Sequence, residues 1–329
     1  MILQLAGNEI TKMLRKRRFQ VVLLILFCLA AAFSYAEKQA GIELARQLGT
    51  SNYHAVLEQQ ITSDLNHLNS PFAPIAEKAA LQAAITTDQY MIGHNINPYA
   101  PGAPSFVKSF MDKGITLLIP MLVIVIASDM VSSEISEGTI KMLLTRGVSR
   151  VMVLTGKLVA LFVLTAMLIG AVAISAYAVS GVFFGYQGWG LPVLMGFHTS
   201  ASGYVDLTHV FTIAQWKYLL MSYGLGFFAC LSVACLAFMV STLVRQTASS
   251  MGIMIAALIA GSLLTVLASN WTAVKYLPVV NLQLSGYLNG SPPPIQGMTY
   301  GFSVTVLAVW SIAALLVSFG VFMRRDVMD

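Results

Sequence analysis

The chain has 329 residues, of which 57% are hydrophobic and only 10% are charged. Soluble domains carry about 25% charged residues, so this composition excludes an ordinary soluble protein and predicts that most of the chain contacts lipid. The net charge of +5 does not indicate nucleic-acid binding, because the basic residues mark the ends of apolar runs instead of forming one patch with aromatic residues.

Residues 1–18 are predicted to form an amphipathic helix on the cytoplasmic surface of the membrane. Leu3, Ala6, Ile10 and Met13 recur at helical spacing, and five basic residues lie between positions 12 and 18. Such a helix either only anchors the first span or also contacts a partner.

Six apolar runs are long enough to cross a bilayer, which takes about 20 helical residues. The predicted fold class is therefore an all-α membrane protein. The first run also resembles a signal peptide, with Ser34, Tyr35 and Ala36 as the cleavage site, but we favour a span because an odd span count would put basic clusters on both faces. We place the spans at 19–37, 113–131, 152–184, 217–244, 249–269 and 301–323.

The distribution of Lys and Arg predicts the orientation of these spans. Basic residues are frequent in 1–18 and 132–151 and follow the fourth and sixth spans, whereas 185–216 has none. Because short cytoplasmic loops are enriched in Lys and Arg, both termini are predicted to be cytoplasmic.

Three segments are then expected outside the cell. Residues 38–112 read as an external helical insert with helices at 39–48, 53–68 and 72–93, followed by a proline-rich linker at 97–104. Residues 185–216 are expected to be an external loop. Residues 270–300 are broken by four prolines and are expected to be external or re-entrant, without spanning.

The sequence contains no machinery for ATP hydrolysis. The phosphate-binding pattern Gly-x-x-x-x-Gly-Lys-Ser/Thr is absent, since Gly156-Lys157 lacks both the first glycine and the hydroxyl residue. The five histidines lie outside the spans without zinc-ligand spacing, and no hydrolase motif is present. We therefore expect a chain that is not an enzyme and binds no cofactor.

Ionisable residues do not mark a proton path across the predicted spans. Asp129 lies near the cytoplasmic end of the second span, and Lys113 and Lys217 mark outer ends. An ion-coupled carrier would be expected to bury ionisable groups in mid-membrane, so this class is disfavoured.

The cytoplasmic connection 132–151 contains the residues that best indicate a function. Ser133 to Glu137 is predicted to begin a short helix, with an apolar stripe at Ile140, Leu143 and Leu144 and a stop at Gly147. This helix is either a lever for a soluble partner or a capped loop helix resting on lipid headgroups.

These residues resemble the ABC-2 type permeases, the membrane subunits of ATP-binding-cassette exporters. The matching positions are Glu134, Gly138, Thr139, Leu143, Leu144, Ser149, Arg150, Gly156 and Lys157, with Gly147-Val148 where relatives often have a proline. The resemblance implies two partner ATPase subunits, which bind ATP and Mg, docked under the connection. The residues expected to couple to them are Glu134, Glu137, Gly138, Thr139, Lys141, Arg146 and Arg150.

The resemblance also implies a second permease subunit, identical or homologous, with an export path between the two. Pro120 is expected to kink the second span, and Gly252, Ala256 and Ala260 give the fifth span a small-residue face that either lines the path or is a static packing seam. An apolar path favours an amphipathic cargo such as a peptide, an antibiotic or a lipid-like compound, exported across a bacterial plasma membrane as in multidrug or peptide resistance. The alternatives are a membrane-embedded sensor or receptor that binds ligand through 38–112, and an ion-coupled secondary carrier.

Overall fold

The computed structural model describes residues 2–48, 52–70, 75–98, 102–139, 149–196, 198–199, 205–206, 209–267, 271–295 and 297–324. The described chain is mostly helical. Its helices are α1 (Ile2–Arg15), α2 (Arg17–Leu48), α3 (Tyr53–Leu68), α4 (Ile75–Gly93), α5 (Ala103–Gly114), α6 (Leu118–Ser136), α7 (Arg150–Phe184), α8 (Gln215–Leu243), α9 (Thr247–Leu267) and α10 (Tyr300–Arg324).

Six of these helices, α2, α6, α7, α8, α9 and α10, are long and apolar enough to cross a membrane. Each overlaps one predicted span, which confirms a helical membrane protein with six candidate spans. The predicted loop 185–216 differs, because it contains strands β1 (Pro192–Met195), β2 (His198–Thr199), β3 (Val205–Asp206) and β4 (Phe211–Ala214). Strands β1 and β4 pair antiparallel around the β2–β3 pair, in the pattern of one long hairpin.

Helix α2 joins two helices that were predicted separately, the span 19–37 and the helix 39–48. Glu37, Lys38 and Gln39 are good helix formers, so nothing in the sequence stops the helix at the membrane boundary. Every side chain from Tyr35 to Glu43 is exposed. The last 14 residues lengthen α2 by about 20 Å, and among them Lys38 Nζ lies 5.6 Å from the centre of the Phe183 ring of α7.

Helix α5 was not predicted, because Pro104 was assigned to a linker. Proline is tolerated in the first helical turn, where its missing N–H would have no partner, and Pro104 lies in that turn. The buried side chains of Phe106 and Phe110 then pack α5 against α7 and α8.

The prediction that Pro120 kinks the second span is wrong. Helix α6 begins at Leu118, so Pro120 lies in its first turn, where no backbone hydrogen bond is lost. The chain bends before Pro120, between the end of α5 at Gly114 and the start of α6.

The helices α6 and α8 form the centre of the bundle, and α2, α9 and α10 lie at its periphery with much of their surface exposed. After α9, residues 271–295 form three 3₁₀ turns at Thr272–Tyr276, Val279–Asn281 and Leu284–Tyr287. We call this segment the cap. It does not span, as predicted, and it packs on α8, α9 and α10.

The spanning helices alternate in direction and define two ends of the bundle. At the end that we call the basic end, α1 meets α2, α6 ends and α7 begins. At the opposite end, Trp189 and Trp216 lie beside the start of α8, and the other two tryptophans, Trp271 and Trp310, lie in the cap or bonded to it. All four are at least 40% exposed, which suits a membrane interface that favours tryptophan.

Candidate functional site

Lys157 of α7 is the most deeply buried charge at the basic end, with 1% of its side chain exposed. Its Nζ atom lies 2.9 Å from Glu9 Oε2, 2.8 Å from Glu134 Oε2 and 3.0 Å from the carbonyl oxygen of Met130. Lys157 donates hydrogen bonds to Glu9 and to the Met130 carbonyl, and it forms an ion pair with Glu134. One buried cation thereby joins α1, α6 and α7.

Helix α1 reaches this cation because of its sequence pattern and a glycine opposite it. Ala6, Glu9 and Met13 recur at three- and four-residue spacing and form its buried face. In α7, a Cβ atom added at Gly156 would lie 3.0 Å from Leu5 Cβ, so glycine allows α1 to pack closely there. The Gly156-Lys157 pair thus provides both the room for α1 and the charge that binds it.

A second group of charges forms around Asp129 of α6. Its carboxylate accepts from Lys16 Nζ at 2.6 Å and from Arg18 Nη1 at 2.7 Å, and Lys16 also donates to Ser133 Oγ at 3.1 Å. Arg18 is 57% exposed, so its pairing with Asp129 is screened by solvent and contributes little. The pairing of Lys16 is less exposed and ties the junction of α1 and α2 to α6.

Lys12 adds a second cation to the group around Lys157 by pairing with Glu134. Burial alone lowers the pKa of Lys12, but the hydrogen bond and charge of Glu134, with the charges of Glu9 and Glu137, raise it above its usual value. Lys12 therefore stays protonated throughout the physiological range. We call the whole set the ion network: Glu9, Lys12, Lys16, Arg18, Asp129, Glu134 and Lys157.

Hydroxyl groups attach α8 and α9 to the same end of α6. Ser241 Oγ donates to Ser128 O at 2.8 Å and lies 2.9 Å from the amide of Ser132 and 3.1 Å from that of Val131, both of which donate to it. Ser132 Oγ is 3.1 Å from Thr247 Oγ1 of α9. The end of α6 therefore contacts five other helices, α1, α2, α7, α8 and α9.

The predicted helix start at Ser133 is wrong. Helix α6 continues to Ser136 and has Glu137 as its C-cap, and Gly138 follows with a φ of +70°, a conformation that favours glycine. Ser133 Oγ donates to the carbonyl of Asp129 within the helix. Because Lys12 and Lys157 neutralise Glu134, the carboxylate is not penalised by the negative end of the helix dipole.

The residues expected to couple to a partner differ in exposure, and some of them are engaged within the chain. Glu134 is 2% exposed and engaged in the ion network, so it cannot contact a docked protein directly. Glu137, Gly138 and Thr139 are exposed. Arg150 donates from Nη1 to the carbonyl of Met323 at the end of α10. Lys141 and Arg146 lie outside the described residues.

The small-residue face expected on the fifth span is exposed. Gly252, Ala256 and Ala260 share the side of α9 that faces away from α6 and α8, and a Cβ atom at Gly252 would meet nothing within 4 Å. Two cavities at opposite ends of the bundle hold about 30 and 10 Å³, room for about one water molecule. Both are too small for an amphipathic cargo.

Sequence reasoning missed Glu9, Lys12 and Lys16 as site residues, and it gave Lys157 as a position of the permease resemblance without predicting its buried ion pairs. The available signals were local: Glu9 interrupts the apolar face between Ala6 and Met13, and Lys157 lies within a predicted span. Neither signal identifies the partner.

Comparison with known proteins agrees with a membrane location. Residues 81–328 match the family described as "Protein of unknown function (DUF2705)". The chain is 31% identical over 255 residues to the uncharacterized protein YhcI of Bacillus subtilis (strain 168), a match that covers 77% of this chain and 78% of YhcI. It is 28% identical over 221 residues to the uncharacterized membrane protein YdbK of the same organism, covering 65% of this chain and 79% of YdbK.

Proposed function

We propose that this chain, which belongs to the DUF2705 family, is the membrane-spanning permease subunit of an ATP-driven exporter whose ATPase is a separate protein. The observation that carries the proposal is the ion network, which joins α1, α6 and α7 directly beside the connection 137–149. A load applied to this connection is thereby delivered to several helices at once.

The ion network can transmit such a load between helices. A partner shifts a conformational equilibrium only through contacts that differ between the two states. Removing one member of a buried ion pair leaves an uncompensated charge and costs about 3–5 kcal/mol. The network around Lys157 therefore resists separation of α1, α6 and α7, and we expect these helices to move as one body.

The surface that would contact the ATPase is the exposed end of α6. We assign this contact to Glu137, Gly138 and Thr139, together with the following residues 140–148. Glu134 is reassigned from partner contact to the ion network, and Arg150 to the attachment of α10. ATP and Mg would be bound by the partner.

The orientation follows from the charges. The basic end has the excess of Lys and Arg expected of the cytoplasmic face, and the tryptophans lie at the other end. We therefore place both termini and the connection in the cytoplasm of a bacterial cell, with α3, α4 and the cap outside.

The export path is assigned to the exposed face of α9 between two copies of the chain. The described cavities are too small for cargo, while Gly252, Ala256 and Ala260 form an exposed face of small residues that a second subunit could cover. An amphipathic peptide, antibiotic or lipid-like molecule fits such a surface best.

Co-purification from native membranes tests the proposal. The tagged chain should bring down a nucleotide-binding ATPase, and Glu137→Lys should lower ATP turnover roughly fivefold or more. Glu58→Lys, an equally exposed change on α3, is the matched control and should leave turnover unchanged. A chain that brings down no ATPase contradicts the proposal and favours a sensor. Transport that survives ATP depletion and collapses with the membrane potential favours an ion-coupled carrier.

A further inference from the structure

A narrow cleft lies at the basic end of the bundle, where the junction of α1 and α2 meets α6. We call it the junction cleft, and its charged rim consists of Lys16, Arg18 and Asp129. Asp129 Oδ2 accepts from Lys16 Nζ at 2.6 Å, and Asp129 Oδ1 accepts from Arg18 Nη1 at 2.7 Å. One carboxylate therefore holds two cationic groups side by side at the rim.

Below this rim the walls of the junction cleft are apolar. They include Phe19 of α2 and Val125 and Ile126 of α6, each within about one helical turn of a rim residue. Leu23 and Met121 lie one turn deeper on the same faces and are half-buried, so the apolar surface continues into the spans. Charge at the membrane surface with apolar contacts beneath it matches the order of groups in a phospholipid.

The rim keeps a surplus of positive charge. Lys16 and Arg18 share one carboxylate, so two cations face one anion, and Arg15 and Arg17 are exposed beside them. The side chain of Arg18 is 57% exposed, and only Nη1 of its guanidinium donates to Asp129. A guanidinium has five N–H donors in a planar fork that suits phosphate oxygens, so Arg18 can bind a phosphate while it stays paired with Asp129.

We propose that the junction cleft binds one anionic phospholipid, with its phosphate on Arg18 and Lys16 and one acyl chain along Phe19, Leu23 and Val125. The enclosed space is about 10 Å³, so the lipid lies along the open side of the cleft and not within it. A headgroup with a net negative charge is preferred to a choline headgroup, because the exposed arginines beside the rim attract anions and repel a second cation. The site is built from α1, α2 and α6 and does not depend on the proposed export function.

Native mass spectrometry of the purified full-length chain in a neutral detergent counts bound lipids and gives their dissociation constants. The probes are dioleoyl phosphatidylglycerol, dioleoyl phosphatidylcholine and glycerol phosphate, which has the phosphate without acyl chains. Phosphatidylglycerol should occupy one tight site per chain and bind about tenfold more tightly than phosphatidylcholine. Glycerol phosphate at the same concentration should not displace it, because it lacks the chain that contacts the apolar wall.

Arg18→Gln tests the charged part of the site. It should weaken phosphatidylglycerol binding about fivefold, which is the effect of one basic residue near a membrane surface. Arg18 is largely exposed, so we expect this variant to fold. Arg324→Gln, an exposed arginine at the same end of the bundle on α10, and Arg46→Gln, at the other end of α2, are the matched controls and should bind like the unchanged protein.

Val125→Phe tests the apolar part of the site. The larger side chain fills the wall of the junction cleft and should weaken phosphatidylglycerol binding about fourfold, the effect of losing one methylene contact. Val309→Phe, at a valine of α10 that is 58% exposed, is the matched control. If Val125→Phe does not fold, the arginine variants decide the question alone.

The lipid site is wrong if phosphatidylcholine binds as tightly as phosphatidylglycerol, or if Arg18→Gln has no more effect than Arg324→Gln. Displacement of phosphatidylglycerol by an equal concentration of glycerol phosphate would identify a site for free phosphate and would also overturn the proposal. No ATPase takes part in the assay, so its failure is distinguishable from failure of the export proposal.

Discussion

Lys157 Nζ lies 2.8 Å from Glu134 Oε2, and both side chains are at most 3% exposed. The two residues come from α7 and α6, on either side of the connection that we assign to partner contact. Glu134 also pairs with Lys12, so it retains one ion pair if Lys157 is removed, whereas Glu9 has no second ion pair among the described residues.

The first prediction follows from this difference. Lys157→Met should lower the free energy of unfolding by about 3–5 kcal/mol, because Glu9 is left buried without its cation. Adding Glu9→Gln should recover part of the loss, and comparison with Glu9→Gln alone completes the cycle that gives the coupling energy of the pair. Thermal unfolding in detergent measures both. Lys113→Met, at an exposed site on α5, is the control, and an equal loss there would contradict the assignment.

The sequence was sufficient to predict the six candidate spans because hydropathy and length are local properties. It could not predict the ion network, because Glu9 and Lys157 are 148 residues apart and a charge pattern alone does not identify a partner. The basic residues were read as orientation signals. Lys16 and Lys157 turn out to bind carboxylates as well.

The predicted end of the second span was wrong because side-chain contacts with other helices stabilise the extra residues of α6. Ser133 bonds to its own helix and Glu134 is neutralised from other helices, so α6 extends past the predicted boundary. The exposed face at Gly252, Ala256 and Ala260 agrees with the predicted small-residue surface. Its role in a path stays a prediction.

The second prediction concerns the packing of α1. Gly156→Val should destabilise the protein by about 1–3 kcal/mol more than Gly170→Val, because only the first side chain meets α1. Gly170 lies in the same helix and has nothing within 4 Å of its added Cβ atom, so helix propensity cancels in the comparison. Protease cleavage of α1 should accelerate in the first variant only. Equal stability of the two variants would show that α1 is not held at Gly156.

The third prediction concerns the hydroxyl contacts of α8. Ser241→Ala should cost about 1–3 kcal/mol, because it removes the donor to Ser128 O and a buried acceptor for two amides. Ser262→Ala on α9 is the control, since among the described residues that hydroxyl bonds to Ile259 of its own helix, and its loss should matter little. Both are compared by thermal unfolding. An equal effect of the two changes would contradict the attachment of α8 to α6 through Ser241.

The fourth prediction is a pH dependence of the α3–α4 hairpin. Burial and the negative charge of Asp64 raise the pKa of Asp88 from 3.8 to about 6. One oxygen of the Asp88 carboxyl, Oδ2, is buried without a hydrogen-bond partner among the described residues, so its ionised form is poorly compensated.

The raised pKa of Asp88 determines whether the hairpin gains or loses stability as pH rises. The folded state binds the proton more tightly than the unfolded state, so the hairpin is most stable below the ordinary pKa and loses stability as pH rises from about 4 to about 6. The group is partly exposed, so we expect a loss of about 1 kcal/mol after screening. Hydrogen exchange of α3 and α4 at several pH values measures this loss. Asp88→Asn should remove the pH dependence and Asp64→Asn should reduce it, because Asp64 supplies only the second of the two causes. A pH dependence that persists in Asp88→Asn would place the titrating group elsewhere.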